Sequence, residues 1–463
     1  MLTVRFFAVG CLVVACGGSA QPPPSAAAAP LPTVAKNAPS PPPPRAPASA
    51  RRGAALEVRY LDGGANTTGG RMALGPSGEV FVVGSFNGTL RFGDLPALTS
   101  SEEDAFVLAL DPSGKPAWSR RIGGAAADYG DDVAVDATGV YVSGAFESKV
   151  VDPGSGPLRC AGIHDLFLVK YAFDGALLWA HRYGDALDQI DMRLRAHPQG
   201  GVIATGWYNG NVDFGSGAVH GALPPKASFV ARIDASGRGL WARAFGHRYD
   251  YAETDAVVDA AGHVFVSGGS EGTSEFVRGG HPSATNDLGP VLLELDAGGK
   301  LLSAQRFGSG ADNLSTALAL APDGSLRFVA GSRGAIDFGD GARRPVGYEE
   351  AIDVARFDGA ALAWSARVLS DRLASVSAAT VDRRGDTVVA AHILRHEATP
   401  KPYGHDAGRG VIVSLSPSGA MNWTYVLDEG LQSGFESVAL DAHGRIVASG
   451  TRGNALVLVT LEP

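Results

Sequence analysis

A repeat of about 61 residues is the feature that most constrains this 463-residue chain. Its clearest copy, residues 131–184, contains two apolar hairpins, VAVDATGVYVSG and FLVKYAFDGALLW, joined by a variable connector. A tryptophan marks the second hairpin of most copies, and Ser303 stands where one copy lacks it. The tryptophans are Trp118, Trp179, Trp241, Trp364 and Trp423. Self-similarity at a fixed period predicts a repeat architecture, whatever the local propensities suggest.

Four strand types, A to D, follow one another in each repeat. Seven A–B hairpins are recognisable, at 71–84, 132–144, 194–206, 256–268, 318–331, 379–391 and 438–450. Seven C strands follow them, but only six D strands do. The segment Leu56-Glu57-Val58-Arg59-Tyr60 precedes the first A strand and resembles a D strand. The sequence therefore predicts an all-β, seven-bladed β-propeller over residues 55–463, in which the N-terminal strand completes the last blade and hides exposed sheet edges.

The repeated phrases resemble a known bacterial family. AVDATGVYVSG and VVDAAGHVFVSG, each followed by an RFG or DFG element, are similar to the β-propeller repeat called SBBP. The resemblance covers nearly all of 55–463 and implies a secreted or envelope-associated propeller without naming a ligand. Two residues depart from the pattern. Ala391 stands where other copies have glycine, and Ser303 stands where they have tryptophan.

The N terminus is typical of an exported, lipid-anchored protein. Residues 1–15 hold one cation, Arg5, and a short apolar run, as a signal peptide does. The run ends in Val-Val-Ala-Cys16, which resembles a bacterial lipobox; Cys11 lies in a similar context with less apolar sequence before it. The resemblance implies lipidation of Cys16 and anchoring in the membrane, with Gly17 after the cysteine favouring the outer membrane. Ordinary secretion with cleavage nearby is the alternative.

Residues 16–54 are rich in proline, alanine and serine, with too little apolar surface to fold. Prolines keep such a segment extended, so that at ~3.1 Å per residue it reaches roughly 100 Å. We expect a disordered tether between the lipid and the propeller.

Charge distribution argues against nucleic acid as a partner. Residues 55–463 carry all 48 acidic residues but only 34 of the 39 basic ones. Such a surface repels a phosphate backbone. Cys160 is the one cysteine after the tether, which excludes a disulfide within the propeller, and we interpret it as an inert thiol.

Several motifs have structural explanations. The D-x-x-G spacing recurs in hairpin turns, where Asp bonds the turn backbone and Gly takes a positive φ. A calcium loop needs more carboxylates than each turn offers. Asp213-Phe214-Gly215 and Asp337-Phe338-Gly339 spell the kinase DFG, but no HRD-type loop accompanies them. We interpret the tryptophans as packing between blades.

His392, His396 and His405 gather around the sixth B–C connector. Two histidines four apart on a helix would share a face and bind a transition metal. This segment leaves a strand and contains prolines, so no metal site is predicted. No cofactor is expected either.

The long D–A connectors supply the candidate binding residues, because variable loops over a rigid scaffold tend to carry function. Their acids fall nine or ten residues after the tryptophan position. The candidates are Asp128, Tyr129, Asp188, Asp250, Tyr251 and Asp312. Converging carboxylates would favour a cationic ligand, a peptide or a protein; alternatively each Asp caps its own turn. Non-catalytic binding is therefore the expected function, with a hydrolase or lyase acting on an envelope polymer, or an assembly scaffold, as alternatives.

Overall fold

A computed structural model describes residues 53–61, 66–220, 227–245, 254–271, 288–308, 314–343, 349–371, 374–394, 408–427 and 433–463. Every regular element in these ranges is a β-strand, and 32 strands are formed. They build seven four-stranded antiparallel sheets and two small hairpins. No helix within these ranges has the length and apolar character needed to cross a membrane.

The strands follow in chain order. The N-terminal strand is β1 (Ala55–Leu61). Blade 1 contains β2 (Asn66–Leu74), β3 (Val80–Leu90), β4 (Leu98–Leu110) and β5 (Pro116–Ile122). Blade 2 contains β6 (Asp128–Asp136), β7 (Gly139–Phe146), β10 (Asp165–Tyr171) and β11 (Leu177–Tyr183), with the hairpin β8 (Val150–Val151) and β9 (Leu158–Arg159) in its B–C connector. Blade 3 contains β12 (Gln189–Ala196), β13 (Val202–Tyr208), β16 (Ala227–Ile233) and β17 (Gly239–Phe245), with the hairpin β14 (Asn211–Val212) and β15 (Val219–His220).

The remaining blades repeat the same order. Blade 4 contains β18 (Asp255–Val258), β19 (Val264–Glu271), β20 (Leu288–Leu295) and β21 (Leu301–Arg306). Blade 5 contains β22 (Leu314–Leu320), β23 (Leu326–Ser332), β24 (Glu350–Asp358) and β25 (Ala361–Asp371). Blade 6 contains β26 (Ala374–Val381), β27 (Thr387–Leu394), β28 (Gly408–Leu415) and β29 (Met421–Val426). Blade 7 contains β30 (Ser433–Leu440), β31 (Ile446–Arg452) and β32 (Ala455–Leu461).

The seventh blade takes its fourth strand from the other end of the chain. β1 pairs antiparallel with β32, so that Val58 lies opposite Val459 and Glu57 opposite Thr460. The sheet order is β1-β32-β31-β30. This confirms the predicted closure of a seven-bladed propeller by the N-terminal strand. Pairing covers a sheet edge that would otherwise be open to other chains.

The A strands surround the axis of the ring. Residues from the A strand of every blade line a central cavity of about 450 Å³, whose walls are mostly Ala, Val and Leu. B and C strands are buried between blades; all seven residues of β10, for example, are buried. The short A–B and C–D turns lie on one side of the ring, here the turn face, and the D–A and B–C connectors lie on the other, the loop face.

Turn chemistry accounts for the repeated D-x-x-G. Asp111 Oδ1 accepts hydrogen bonds from Ser113 N and Lys115 N at 2.9 Å each, and Gly114 closes the turn with φ +78°. The same Asp-to-backbone bonds recur in the turns that begin at Asp234, Asp296 and Asp441. The carboxylate and the glycine therefore serve the hairpin, as predicted.

The DFG segments lie in the B–C connectors. Asp213 Oδ1 accepts from Gly215 N at 2.7 Å, and Asp337 Oδ1 accepts from Gly339 N at 2.8 Å. The phenylalanines Phe214 and Phe338 are buried in aromatic clusters of their own blades. Each segment is thus a structural turn that anchors the connector to its blade.

Tryptophans join blades 1, 2, 3, 5 and 6 each to the next blade. Trp118 Nε1 donates to the Phe173 carbonyl oxygen of blade 2 at 2.9 Å, and its ring covers Gly175. Three others make the corresponding bond: Trp179 to Ala235 O, Trp241 to Ala297 O and Trp364 to Pro417 O. The rings also pack on the turn glycine of the next blade, where a side chain would collide with the indole. The predicted role of the tryptophans in packing between blades is confirmed.

Candidate binding site

A basin of about 440 Å³ opens on the loop face where blades 1, 2 and 3 meet. Blade 1 contributes Thr68, Gly69 and Ser85; blade 2 contributes Tyr129, Gly130, Asp131, Ala145 and His164; blade 3 contributes Ile190 and Asp191. We call this set of residues the loop-face basin. Its polar side chains come from three A strands, from one B strand at Ser85 and from one B–C connector, so that the ring itself brings them together.

His164 and Asp188 form an ordered pair at the wall of the basin. His164 Nδ1 lies 2.8 Å from Asp188 Oδ1. Backbone bonds hold the two segments together, since Ile163 N donates to Leu187 O at 3.0 Å and Gln189 N to His164 O at 3.1 Å. The carboxylate therefore fixes the orientation of the imidazole ring.

Tyr129 faces the same histidine, with 6.3 Å between the two ring centroids. Burial raises the pKa of Tyr129, and the carboxylates of Glu103 and Glu147 raise it further. The phenol consequently stays protonated and available as a hydrogen-bond donor at neutral pH. Glu103 itself accepts a 2.6 Å hydrogen bond from Thr68 Oγ1, which places another carboxylate at the rim.

Asp131 and Asp191 form the acidic floor. Asp131 Oδ2 accepts a 2.9 Å hydrogen bond from Met192 N of the next blade. Burial raises the pKa of Asp131, and the neighbouring carboxylate of Asp132 adds to that shift. Asp191 adopts φ +59°, the left-handed conformation that Asp tolerates better than most residues. Its Oδ1 accepts from Arg193 Nε at 3.0 Å.

A chain of charges links the basin to the ring axis. Arg195 lies between two acids of neighbouring blades, with Nη1 3.5 Å from Asp132 Oδ2 and Nη2 2.6 Å from Asp255 Oδ1. Asp132 Oδ2 also accepts from Leu194 N, and Asp255 Oδ2 from Leu318 N, at 2.9 Å each. These buried acids connect successive A strands and hold the blades in register. They are structural groups.

The predicted residues take different positions. Asp128 is fully buried, and its carboxylate accepts hydrogen bonds from Gly124 N, Ser148 N and Ser148 Oγ at 2.6, 3.0 and 2.7 Å. It therefore ties the D–A connector to Ser148 in the B–C connector of the same blade. Gln189 takes the equivalent place in blade 3, where Asp185 N donates to Gln189 Oε1. Asp188 therefore does not take the structural position of Asp128, although the two residues lie nine and ten residues after their respective tryptophans.

Of the predicted residues, Tyr129 lines the basin and Asp188 supports it through His164. Asp250, Tyr251 and Asp312 lie outside the described residues, as does Cys16. The acids that line the basin are Asp131 and Asp191. Neither follows the tryptophan spacing, so the pattern that selected Asp128 and Asp188 could not find them.

The histidine cluster and the cysteine are placed only in part. His392 Nε2 lies 2.7 Å from Phe435 O and 3.5 Å from Glu436 Oε1, while His396 and His405 lie outside the described residues. Among the residues that are described, no three His, Cys, Asp or Glu side chains are grouped as a metal site requires. Burial raises the pKa of the Cys160 thiol, which reduces its reactivity.

Known proteins resemble this chain in fold only. No protein-family profile and no curated protein matches it. A solved polysaccharide lyase, an ulvan lyase, is 11% identical with a TM-score of 0.51, covering 87% of this chain and 96% of the lyase. A gluconolactonase from Xanthomonas campestris is 12% identical with a TM-score of 0.35, covering 88% and 99%. A protein of unknown function from Bacteroides caccae is 11% identical with a TM-score of 0.33, covering 70% and 90%. At 11% identity the likeness to the ulvan lyase concerns the fold alone, and the chain is placed in no family.

Proposed function

We propose that this protein is a non-catalytic binding module that takes a cationic group, carried by a peptide or protein partner, into the loop-face basin. The observation that carries the proposal is the grouping of Tyr129, Asp131 and Asp191 from neighbouring blades around one cavity. Glu103 and Glu147 add negative charge near Tyr129. Carboxylates converging on a concave site attract a cation and raise its local concentration. A bound cation would also favour the ionised form of Asp131, whose pKa is raised by burial.

Aromatic walls favour the same class of ligand. The ring face of Tyr129 attracts a cation within about 6 Å of its centroid. The His164–Asp188 pair supplies polar atoms that orient the ligand beside it. Because these side chains are held by hydrogen bonds and strand ends, the site is largely preformed, and little entropy is lost when the ligand binds.

Recovery of partners from bacterial envelope extract tests the proposal. The bait is the full-length protein, compared with the double variant Asp131→Asn, Asp191→Asn. Asn has the size of Asp and also tolerates a left-handed conformation, so the variant removes charge with little change in shape. Asp174→Asn with Asp323→Asn on the turn face is the matched control, because it alters net charge equally.

We expect the wild type and the control to recover the same partner, and the basin variant to recover at least about tenfold less. Titration with a short lysine-rich peptide measures the same contrast directly. Equal recovery by all three proteins, with equal affinity for the peptide, would show that the basin is not the site.

A catalytic role is the second candidate, and the His164–Asp188 pair beside Tyr129 is the observation that favours it. An oriented imidazole next to a protonated phenol has the elements of general acid–base catalysis. The ulvan lyase that shares the fold acts on a polysaccharide. Incubation with uronic-acid polymers, followed by ultraviolet detection of unsaturated products, distinguishes the two functions. A lyase would lose that signal in His164→Ala, whereas a binding module gives none in either protein.

We further propose lipid anchoring through Cys16 at the bacterial outer membrane, with the propeller related to the SBBP repeat. The lipobox-like segment and the proline-rich tether support this location. Metabolic labelling with a palmitate analogue in a bacterial host tests it. Label should be lost in Cys16→Ser and kept in Cys11→Ser; label on both variants would refute anchoring at Cys16.

A further inference from the structure

The N-terminal strand β1 forms the outer edge of the last blade. It stands at one end of the sheet order β1-β32-β31-β30, and within the described residues it pairs with β32 alone. Five of its seven residues are exposed, whereas only one of the seven residues of β11, the corresponding strand of blade 2, is exposed. The backbone groups on the outer side of β1 are therefore accessible to another strand.

The apolar side chains of β1 distinguish it from the other D strands. Leu56, Val58 and Tyr60 are 52, 36 and 44% exposed. At the place of Val58, one residue after the tryptophan position, every other D strand has a small or polar residue. Those residues are Ser119, Ala180, Ala242, Ala304, Ser365 and Thr424. Natural edge strands are often protected by charges or proline, and the apolar face of β1 carries neither.

The charges of β1 complement themselves. Glu57 and Arg59 flank Val58 on the opposite face of the strand, where Arg59 Nη2 lies 2.7 Å from Glu57 Oε1. When two β1 strands pair antiparallel about a two-fold axis at Val58, Glu57 of each copy lies opposite Arg59 of the other. Leu56 then lies near Tyr60, and Val58 faces its own counterpart. No other D strand in the described ranges has an acid and a base on either side of this central residue.

The contacts that Arg59 already makes are compatible with such a pairing. Its guanidinium donates to Gly114 O and to Glu57, while the Glu57 side chain remains 54% exposed. A second copy brings another exposed carboxylate beside each guanidinium, so that four charges of alternating sign meet around the axis. Opposite charges directly across an antiparallel pair are favourable, and like charges are unfavourable.

We infer that two copies of this protein associate through β1, forming an antiparallel edge-to-edge dimer with its two-fold axis at Val58. A second copy is the partner because the strand supplies both halves of the charge and apolar pattern that the pairing needs. The same patch is used on both copies, so the contact closes and association stops at two. This interface lies on the outer rim of the ring and does not depend on the function proposed for the loop-face basin.

Disulfide trapping tests the pairing and its register. The protein is the full-length chain with its three native cysteines changed to serine, so that an introduced cysteine is the only thiol. Val58→Cys places the thiol at the axis, where paired Cα atoms lie about 4.5–5.5 Å apart, within reach of a disulfide. Tyr60→Cys is the control for register. Ala180→Cys, at the place of Val58 in β11, is the matched control on another D strand.

We expect mild oxidation to convert Val58→Cys largely into a covalent dimer, which non-reducing electrophoresis detects. Tyr60→Cys and Ala180→Cys should remain largely single chains, because neither thiol meets its own counterpart. Thermal unfolding establishes that each variant is folded.

Sedimentation equilibrium over a range of concentrations measures the association without an added cysteine. Glu57→Arg sets arginines opposite each other across the axis and should weaken the dimer at least about tenfold. Adding Arg59→Glu to Glu57→Arg exchanges the two charges and should restore most of the association. Asp174→Arg, on an exposed turn of blade 2, changes the net charge equally and should associate as the parent protein does. If the charge variants do not fold, trapping of Val58→Cys decides the question.

The inference is overturned if the parent protein has the mass of a single chain at every concentration, or if the three cysteine variants are trapped equally. A dimer in which Val58→Cys is not trapped would show that another surface carries the association. Undiminished association of Glu57→Arg would overturn the register in which Glu57 meets Arg59. Assemblies larger than two copies would overturn the closed two-fold pair.

Discussion

Some carboxylates on the loop face bond the connectors of their own blade, and others line the open basin; their surroundings distinguish the two groups. Asp128 is enclosed and meets three donors, Gly124 N in the D–A connector and the N and Oγ of Ser148 in the B–C connector. Asp131 and Asp191 line an open cavity, although each also accepts a backbone or side-chain bond. Burial and partner count, which sequence spacing does not encode, decide which acid can meet a ligand.

Replacing Asp128 by Ala should destabilise the protein. The change leaves the buried donors Gly124 N and Ser148 N without their acceptor, which costs about 1–3 kcal/mol for each unsatisfied group. We expect a fall of about 2–4 kcal/mol in the free energy of unfolding, measured by denaturant titration. Asp152→Ala, at an exposed connector turn, is the control and should change stability little. Comparable stability of Asp128→Ala and wild type would contradict the capping role.

His197 should make stability depend on pH. It is 4% exposed, and its Nδ1 accepts a 3.1 Å hydrogen bond from Gln199 N, which requires the neutral ring. Burial lowers the pKa of His197 to about 4, and the charge of Arg232 contributes. Between pH 6.5 and about 4 the unfolded chain therefore binds more protons than the folded one, so stability falls as pH falls.

The loss at His197 amounts to at most about 3 kcal/mol across that range. His197→Asn keeps an acceptor for Gln199 N without a titrating ring. Its free energy of unfolding should vary less with pH than that of the wild type, which urea titrations at several pH values measure. Identical pH profiles for the two proteins would exclude His197 as the source.

Residues of the basin show how far sequence reasoning reaches at this scale. Tyr129 was predicted from its place in a D–A connector. His164 was not, because it lies in the B–C connector and meets Asp188 only after blade 2 has formed. Asp191 escaped because it lies at the start of an A strand, where its left-handed backbone turns it into the basin. A contact that is not part of the repeat, such as that of His164 with Asp188, leaves no periodic signal in the sequence.

At the scale of elements, the hairpin and the tryptophan contact are the units that repeat. The repeated apolar hairpins and the D-x-x-G turns predicted the strands well, since both signals are local to one hairpin. The short hairpins β8–β9 and β14–β15 were not predicted. They lie in the B–C connectors, whose sequences vary from repeat to repeat. Glu57 lies opposite Thr460 at the tryptophan position of blade 7, and this was also missed, since that blade is assembled from both ends of the chain.

The tryptophan contact should contribute measurably to stability. Trp118 is 7% exposed, and Trp118→Ala should lower the free energy of unfolding by about 3–5 kcal/mol, as large-to-small changes in cores do. Trp118→Phe should cost about 1–2 kcal/mol, mainly through the lost bond to Phe173 O. Ser303→Ala, at the position without an indole, is the matched control and should change stability least. Denaturant titration ranks the three, and an equal effect for all would contradict packing by tryptophan.

At the scale of the whole molecule, closure of the ring positions every site described above. The loop-face basin needs three adjacent blades, and the last blade is complete only because β1 pairs with β32. The count of strand types predicted this closure, since six D strands and one unpartnered N-terminal strand match seven C strands. Chain order alone could not give the geometry between blades, which depends on packing around the axis.

Cross-linking the two ends of the chain tests the central claim most directly. Glu57 and Thr460 are opposite each other in neighbouring strands, where Cα atoms lie about 4.5–5.5 Å apart, within reach of a disulfide. Glu57→Cys with Thr460→Cys, in a Cys160→Ser background, should form an intramolecular bond on mild oxidation. Mass spectrometry of the digested protein identifies the linked peptides.

We expect the Glu57–Thr460 pair to link almost completely and to raise the unfolding temperature, while the control pair Glu57→Cys with Asp174→Cys stays unlinked. Failure of the first pair to link in folded, monomeric protein, or equal linking of the control pair, would contradict a ring closed by the N-terminal strand.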